Sequence, residues 1–211
     1  MSSASEDTRV TILDAARRLM TDPARRGVSM AEIAAAAGVS RQAVYLHFEG
    51  RTELLVALVH HVDEVHGFAS MLRKCERAPD GRRFLSAFVA AWADYVARIT
   101  DVARAMRAAA ATDHDAALAW RDRMRAFTAV CGLMVARLEG EGVLAAAWSV
   151  SDATDFLATM LSIGNWQDLI EERGWSRKRY VRFMREAVER SMLEPIVEAR
   201  RPRASTSRRR S

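Results

Sequence analysis

Residues Ser29 to Leu55 read SMAEIAAAAGVSRQAVYLHFEGRTELL, and their punctuation decides the fold of the first quarter of the chain. Ser29 precedes a helical run and Glu32 follows three residues later. That is the spacing of a capping box, in which each residue satisfies an N–H group that the helix start leaves open. Met30, Ile33, Ala34 and Ala37 share one face of the run. Gly38 supplies the left-handed backbone that ends a helix. Ser40 is a second N-cap, opening a short helix with Val44 and Phe48 inward. Two short helices joined by a Gly-containing turn form a helix-turn-helix. Ala34 suits it, because a close crossing leaves room only for a small side chain.

Such a unit implies sequence-specific DNA binding, with the start of the second helix presented to base edges in the major groove. Arg41 and Gln42 stand there; Arg matches the O6/N7 edge of guanine and Gln the N6/N7 edge of adenine. The plainer reading makes both merely solvated helix residues. Tyr45 and His47 are expected at phosphate or packed at its edge. Ser29, Ser40 and Arg51 stand at helix starts, where backbone N–H groups also favour phosphate. Such contacts position a protein on DNA without reading sequence.

The flanks extend the pattern. Arg9, Ile12, Leu13, Ala15, Ala16 and Leu19 form an opening helix. Ile33, Ala34, Gly38, Val39 and Ser40 follow, then Tyr45, His47 and Phe48, then Leu54 and Leu55. Over roughly residues 8–58 this resembles the N-terminal region of the TetR family of transcriptional regulators. Two positions depart from the family pattern: Arg51 stands where Lys is usual, and Met20 where Phe is frequent. Arg keeps a phosphate contact possible and adds a second donor to it. The resemblance implies a homodimer on a palindromic double-stranded operator. It also implies a C-terminal helical domain for ligand binding and dimerisation. The expected function is a repressor released by a small apolar effector. The alternative is a helical DNA-binding regulator whose C-terminal domain binds a protein partner instead.

The 211 residues suffice for a small domain plus a larger one, and 50% hydrophobic residues allow a sizeable core. Four prolines, ten glycines and long Ala-rich stretches favour helix nearly throughout. No apolar run reaches the roughly 18 residues of a membrane span. MSSASEDTR lacks the charged-then-apolar pattern of a signal peptide, so a cytoplasmic protein is expected. Cys75 and Cys131 read as ordinary reduced thiols. The formal charge of +5 misleads, because six arginines lie in the tail after Ala199 and leave the rest near neutral. DNA binding then depends on where charges point.

The expected architecture is all-α with about nine helices. Residues 1–50 form the DNA-binding domain, 51–199 the ligand-binding and dimerisation domain, and 200–211 a disordered Arg-rich tail. The spacing predicts one long helix over Arg51–Arg77, then helices over Arg82–Thr100 and Val102–Ala111. A further helix ends near Leu138, the next is capped by Ser151 and runs to Glu172, and the last starts at Ser176.

The aromatic and Met stripes are individually plain core. Together they suit an adaptable apolar cavity with Phe88, Trp92, Tyr95, Met106, Trp120, Met124, Phe127, Phe156, Met160 and Trp166 as candidate lining, and Trp148 alongside. Leu157, Leu161 and Gly164, with Tyr180, Met184, Val188 and Met192, are the expected dimer face, unless these stripes pack inward. His60, His61, Asp63, Glu64 and His66 look metal-like but lack HExxH or a CxxC partner, so no metal or cofactor is expected. Without a GxSxG context or Gly-rich phosphate loop, no enzyme is expected either.

Overall fold

The structure, a computed structural model, describes residues 3–25 and 27–195. The Arg-rich tail lies outside the described residues. All regular elements among those described are helical, apart from one isolated antiparallel bridge between Leu144 and Leu193.

Helices α1 (Ser3–Met20), α2 (Met30–Ala37) and α3 (Arg41–His47) pack into one unit. Ile12, Leu13 and Ala16 of α1 meet Ile33 and Ala34 of α2, with Val44 and Phe48 beside them. Ala34 is buried as the close crossing requires, and Gly38 takes φ 69° at the turn. Helix α4 (Arg51–Val65) follows after Glu49-Gly50 and packs on α1 and on α7 (His114–Gly140). The rest is layered around the long α6 (Gly81–Ala110), which contacts α7, α5 (Phe68–Glu76) and α10 (Arg177–Met192). Helix α8 (Val150–Met160) packs on α7 and α10.

Four boundaries differ from the sequence expectation. The helix expected over Arg51–Arg77 breaks at Gly67, whose φ of 70° no α-helix accommodates. The two helices expected around Thr100 are one, α6, because no Gly or Pro interrupts the stripe Val96, Ile99, Val102, Ala103 and Met106. Ser149, and not Ser151, caps α8; its hydroxyl oxygen accepts from Asp152 N at 3.0 Å.

Finally, α8 stops at Met160 and does not run on to Glu172. Its freed carbonyls find side-chain donors: Asn165 Nδ2 donates to Thr159 O (2.7 Å) and Trp92 Nε1 to Leu161 O (2.8 Å). Ser162 then caps the short α9 (Ile163–Trp166), which continues as a π-helical turn over Gln167–Glu172. Glu171 in that turn accepts from Thr100 Oγ1 (2.6 Å) and Arg104 Nη2 (2.7 Å), fastening it to α6.

Both cysteines are buried and unbonded. Burial pushes the Cys131 thiol up to about 12, so it stays protonated. No described helix is long and apolar enough to cross a membrane.

Candidate nucleic-acid interface and effector cleft

The helix-turn-helix is held by its caps. Ser29 N donates to Glu32 Oε2 at 2.8 Å, and Ser29 Oγ accepts from Glu32 N at 3.3 Å, which completes the capping box. The Ser29 backbone N–H, then its hydroxyl, hold the Glu32 carboxyl below its usual range, helped by Arg25 at 2.9 Å. The Ser29 hydroxyl also donates to Glu32 at 2.7 Å, so its proton is engaged within the chain. Ser40 Oγ accepts from Ala43 N at 3.0 Å and keeps its own proton for a partner.

Arg41, Gln42 and Tyr45 are exposed on α3, while His47 is half-buried. Val44 and Phe48 are fully buried beneath them, and the Arg9 guanidinium lies 5.2 Å from the Phe48 ring centroid. Helix α3 is thus anchored on one side and presents polar tips on the other. Leu46 is 81% exposed on the same helix. The sequence reading gave it no role, although a large aliphatic residue inside a row of polar tips is itself a signal.

Arg51 does not face solvent with these residues. Its Nε donates to Val28 O at 2.8 Å, and its Nη1 lies 2.7 Å from Asp113 and 3.5 Å from Asp115. The neighbouring Thr52 hydroxyl donates to Asp115. The expected phosphate contact is therefore corrected to an internal one. Arg51 ties the loop before α2 and the start of α4 to the turn between α6 and α7. The Arg51 guanidinium holds the Asp113 carboxyl below the usual carboxylate range. The pairing outweighs burial at Arg51 and raises its own value further.

The histidines do not converge. His61 reaches Asp14 of α1 at 3.3 Å, whereas His60 points to Asp122 of α7 at 3.8 Å. No group of three or more metal-ligating side chains occurs among the described residues.

Two clefts exceed 400 Å³. One, of about 460 Å³, lies where α1 and the following loop meet α6, beside Arg25, Arg51 and Arg104. Each of these arginines already has an acidic partner, namely Glu32, Asp113 and Glu171. The other, of about 520 Å³, opens between α7 and α8 over Trp92, Met124, Phe127 and Ile163. A narrow crevice continues inward from it beside Met106, Trp120 and Val102, sharing Arg123 and Ile163 with the cleft. The cleft sets Trp92, Met124, Phe127, Ala158 and Ile163 beside the polar Arg123, Thr128, Asp155, Thr159 and Ser162, a mixture that suits small ligands.

Of the ten expected lining residues, Trp92, Met124 and Phe127 border the cleft, and Met106 and Trp120 the crevice. Trp92 is stacked among Phe88, Tyr95 and Phe127 at centroid distances of 6.0, 5.6 and 4.4 Å. Phe88 and Tyr95 therefore back the wall without forming it. The remaining three lie elsewhere. Phe156 packs on Trp148 and Trp166 on Tyr180, each at 5.0 Å, and Met160 closes the end of α8.

The sequence reading missed Arg123, and took Asp63 only as part of the metal-like cluster. Arg123 is 7% exposed, with Nε 3.1 Å from Asp63 Oδ2. Its signal was available: it falls on the apolar stripe of α7, between Trp120 and Phe127.

The expected dimer face is also corrected. Leu157, Leu161, Tyr180, Met184, Val188 and Met192 are buried within the chain, and Gly164 sits against Arg107 of α6. They pack α8 against α7 and α10, and α9 and α10 against α6, so within one chain they are turned away from solvent. Apolar side chains are exposed on α7, where Ala126, Ala129, Leu133 and Ala136 follow at spacings of three and four and Leu133 is 62% exposed, and on α10 at Phe183.

The profile of bacterial regulatory proteins, tetR family, matches residues 12–58. The chain is 32% identical over 155 residues to the uncharacterised HTH-type transcriptional regulator MT1294 of Mycobacterium tuberculosis, covering 74% of this chain and 68% of that one. It is 43% identical over 68 residues to the HTH-type transcriptional repressor LfrR of Mycolicibacterium smegmatis, covering 32% of this chain and 35% of LfrR. The match thus spans about a third of LfrR. In fold, the chain is similar to a TetR-family transcriptional regulator from Rhodococcus sp., with a TM-score of 0.71 and 17% identity over 89% of this chain and 99% of that one. The fold, the capped helix-turn-helix and the extent of the match to MT1294 agree: the chain belongs to the tetR family of bacterial regulatory proteins.

Proposed function

We propose that this regulator represses transcription as a two-fold dimer on an inverted-repeat operator, and that a small apolar effector in the α7–α8 cleft releases it. Helices α1–α3 are the DNA-binding part, and α4 onward carries effector and dimer contacts. The observation that carries the reading is the exposed row Arg41, Gln42, Tyr45 and Leu46 on a short helix capped by Ser40 and anchored by Val44 and Phe48. Arg41 and Gln42 read base edges, Leu46 offers an apolar contact to a thymine methyl, and Ser40 and Tyr45 take phosphate.

Helix α4 links the two parts. Arg51 at its start is tied to Asp113, and Asp63 further along is tied to Arg123, so α7 holds α4 in two places. A ligand that shifts α7 shifts the helix that follows α3. The dimer forms through the charge-free stripe of α7, where small side chains permit close approach between helices. The LfrR likeness supports repression as the sign of regulation.

The test is a reporter driven by the DNA flanking the coding gene, with and without the protein. Output should fall when the protein is present and recover with an effector. Unchanged or raised output would overturn repression.

A further inference from the structure

The chemistry of the cleft narrows the class of effector, an inference that rests on the cleft being the effector site. Arg123 stands at its floor, 93% buried within the chain by its 7% exposure, and borders both cleft and crevice. Asp63 has both carboxylate oxygens engaged, Oδ1 by the Tyr95 hydroxyl and Oδ2 by Arg123 Nε at 3.1 Å. Burial and the adjacent Asp63 push the Tyr95 phenol far above its usual range, so it is a neutral donor. The guanidinium is in a different position. It carries five N–H donors. Phe68 covers one of its faces, with the ring centroid 5.0 Å away. Beyond Asp63 it also meets the Tyr95 hydroxyl oxygen, and two acceptors leave donors of the guanidinium to spare.

Charge and hydrogen bonding therefore point to different needs. Arg123 and Asp63 balance each other, so a ligand charge of either sign would remain uncompensated among aromatic rings, which is costly. Asp155 lies on the exposed side of α8, where water screens it. What the floor lacks is an acceptor. We propose that the effector is an uncharged, planar aromatic compound bearing a carbonyl oxygen. The oxygen takes the Nη donors of Arg123, and the ring lies against Phe127 and Met124. Methionine adapts to such a surface without imposing one shape.

Four probes of similar size separate the possibilities: 9-fluorenone, fluorene, fluorene-9-carboxylate and the 9-aminoacridinium cation. Binding is read by tryptophan quenching, since Trp92 and Trp120 border the site. Operator release is read by fluorescence polarisation. Fluorenone should bind at least tenfold more tightly than the other three and release DNA. In the double variant Arg123→Met/Asp63→Asn, which keeps the charge balance, that advantage over fluorene should shrink to within twofold while fluorene binding is retained.

A single Arg123→Met variant strands Asp63, so the double variant is the decisive one, and its melting curve reports whether it folds. Should it not fold, the ranking of the four probes on the unaltered protein decides. Fluorene equal to fluorenone in binding and release would leave the effector cleft standing and overturn the acceptor. A preference for the cation or the carboxylate would overturn neutrality. If no probe binds while the protein still holds its operator, the cleft is not an effector site and both readings fall.

Discussion

At the scale of single residues, Arg41 and Arg51 show how one residue type serves two ends. Arg41 is exposed at the start of α3, while Arg51 is enclosed by Val28 O, Asp113 and Asp115. Arg41→Ala and Gln42→Ala should each cost about 1–3 kcal/mol of binding at one operator position and relax the base preference there. Footprinting on operator variants checks this, and unchanged preference in both variants would remove α3 from base reading. Arg51 belongs to stability. Because Arg51 holds the Asp113 carboxyl low, the pair contributes fully above the unfolded aspartate value of about 3.9. That contribution fades as the pH falls through the still lower folded value. Asp113→Asn keeps the α7 cap through its carbonyl oxygen but loses the charge. It should destabilise by about 1–2 kcal/mol at neutral pH, with partial exposure of both groups included. Near pH 3, below the unfolded value, the difference should be smaller than at neutral pH. An equal difference at both pH values in urea melts would contradict the assignment.

At the scale of elements, what could be read from sequence was local. Ser29, Glu32, Gly38 and Ser40 act within a few residues of themselves, and α2 begins and ends, and α3 begins, where those residues place them. Gly67 carried the same kind of signal inside a long apolar pattern, where the stripe concealed it. The stripes of α8 and α10 were legible as stripes, but periodicity does not say which neighbour covers them. Leu161 and Met184 proved to face their own chain, and the exposed Leu133 went unnoticed because α7 already had an inward stripe. Arg123 and Asp63 meet from α7 and α4, a pairing that no spacing along the chain encodes.

These placements separate two substitutions that look alike. Leu161→Arg puts an unpaired charge at a fully buried site and should cost about 3–5 kcal/mol of folding stability. Leu133→Arg should leave the melting temperature of the fold nearly intact and shift sedimentation from dimer to monomer. A Leu133→Arg protein that remains dimeric places the interface elsewhere.

For the whole molecule, α4 packs on both α1 and α7, and ion pairs at its start and middle hold it to α7 and the turn before it. A ligand changes the DNA-bound population only through its different affinity for the two states. Asp113→Asn should therefore weaken the coupling, so that effector still binds but lowers operator affinity by a smaller factor. Comparing operator affinity with and without effector in this variant and the unaltered protein checks it; an undiminished factor would show that the signal bypasses Arg51. The central claim is that α3 reads DNA from both halves of a two-fold dimer, and selection of bound sequences from a random duplex library tests it most directly. The account predicts enrichment of an inverted repeat with half-sites about one helical turn apart, roughly 34–36 Å, and loss of one defined base pair from each half-site with Arg41→Ala. Failure to enrich any sequence, or enrichment of a single unrepeated site indifferent to Arg41→Ala, would contradict it.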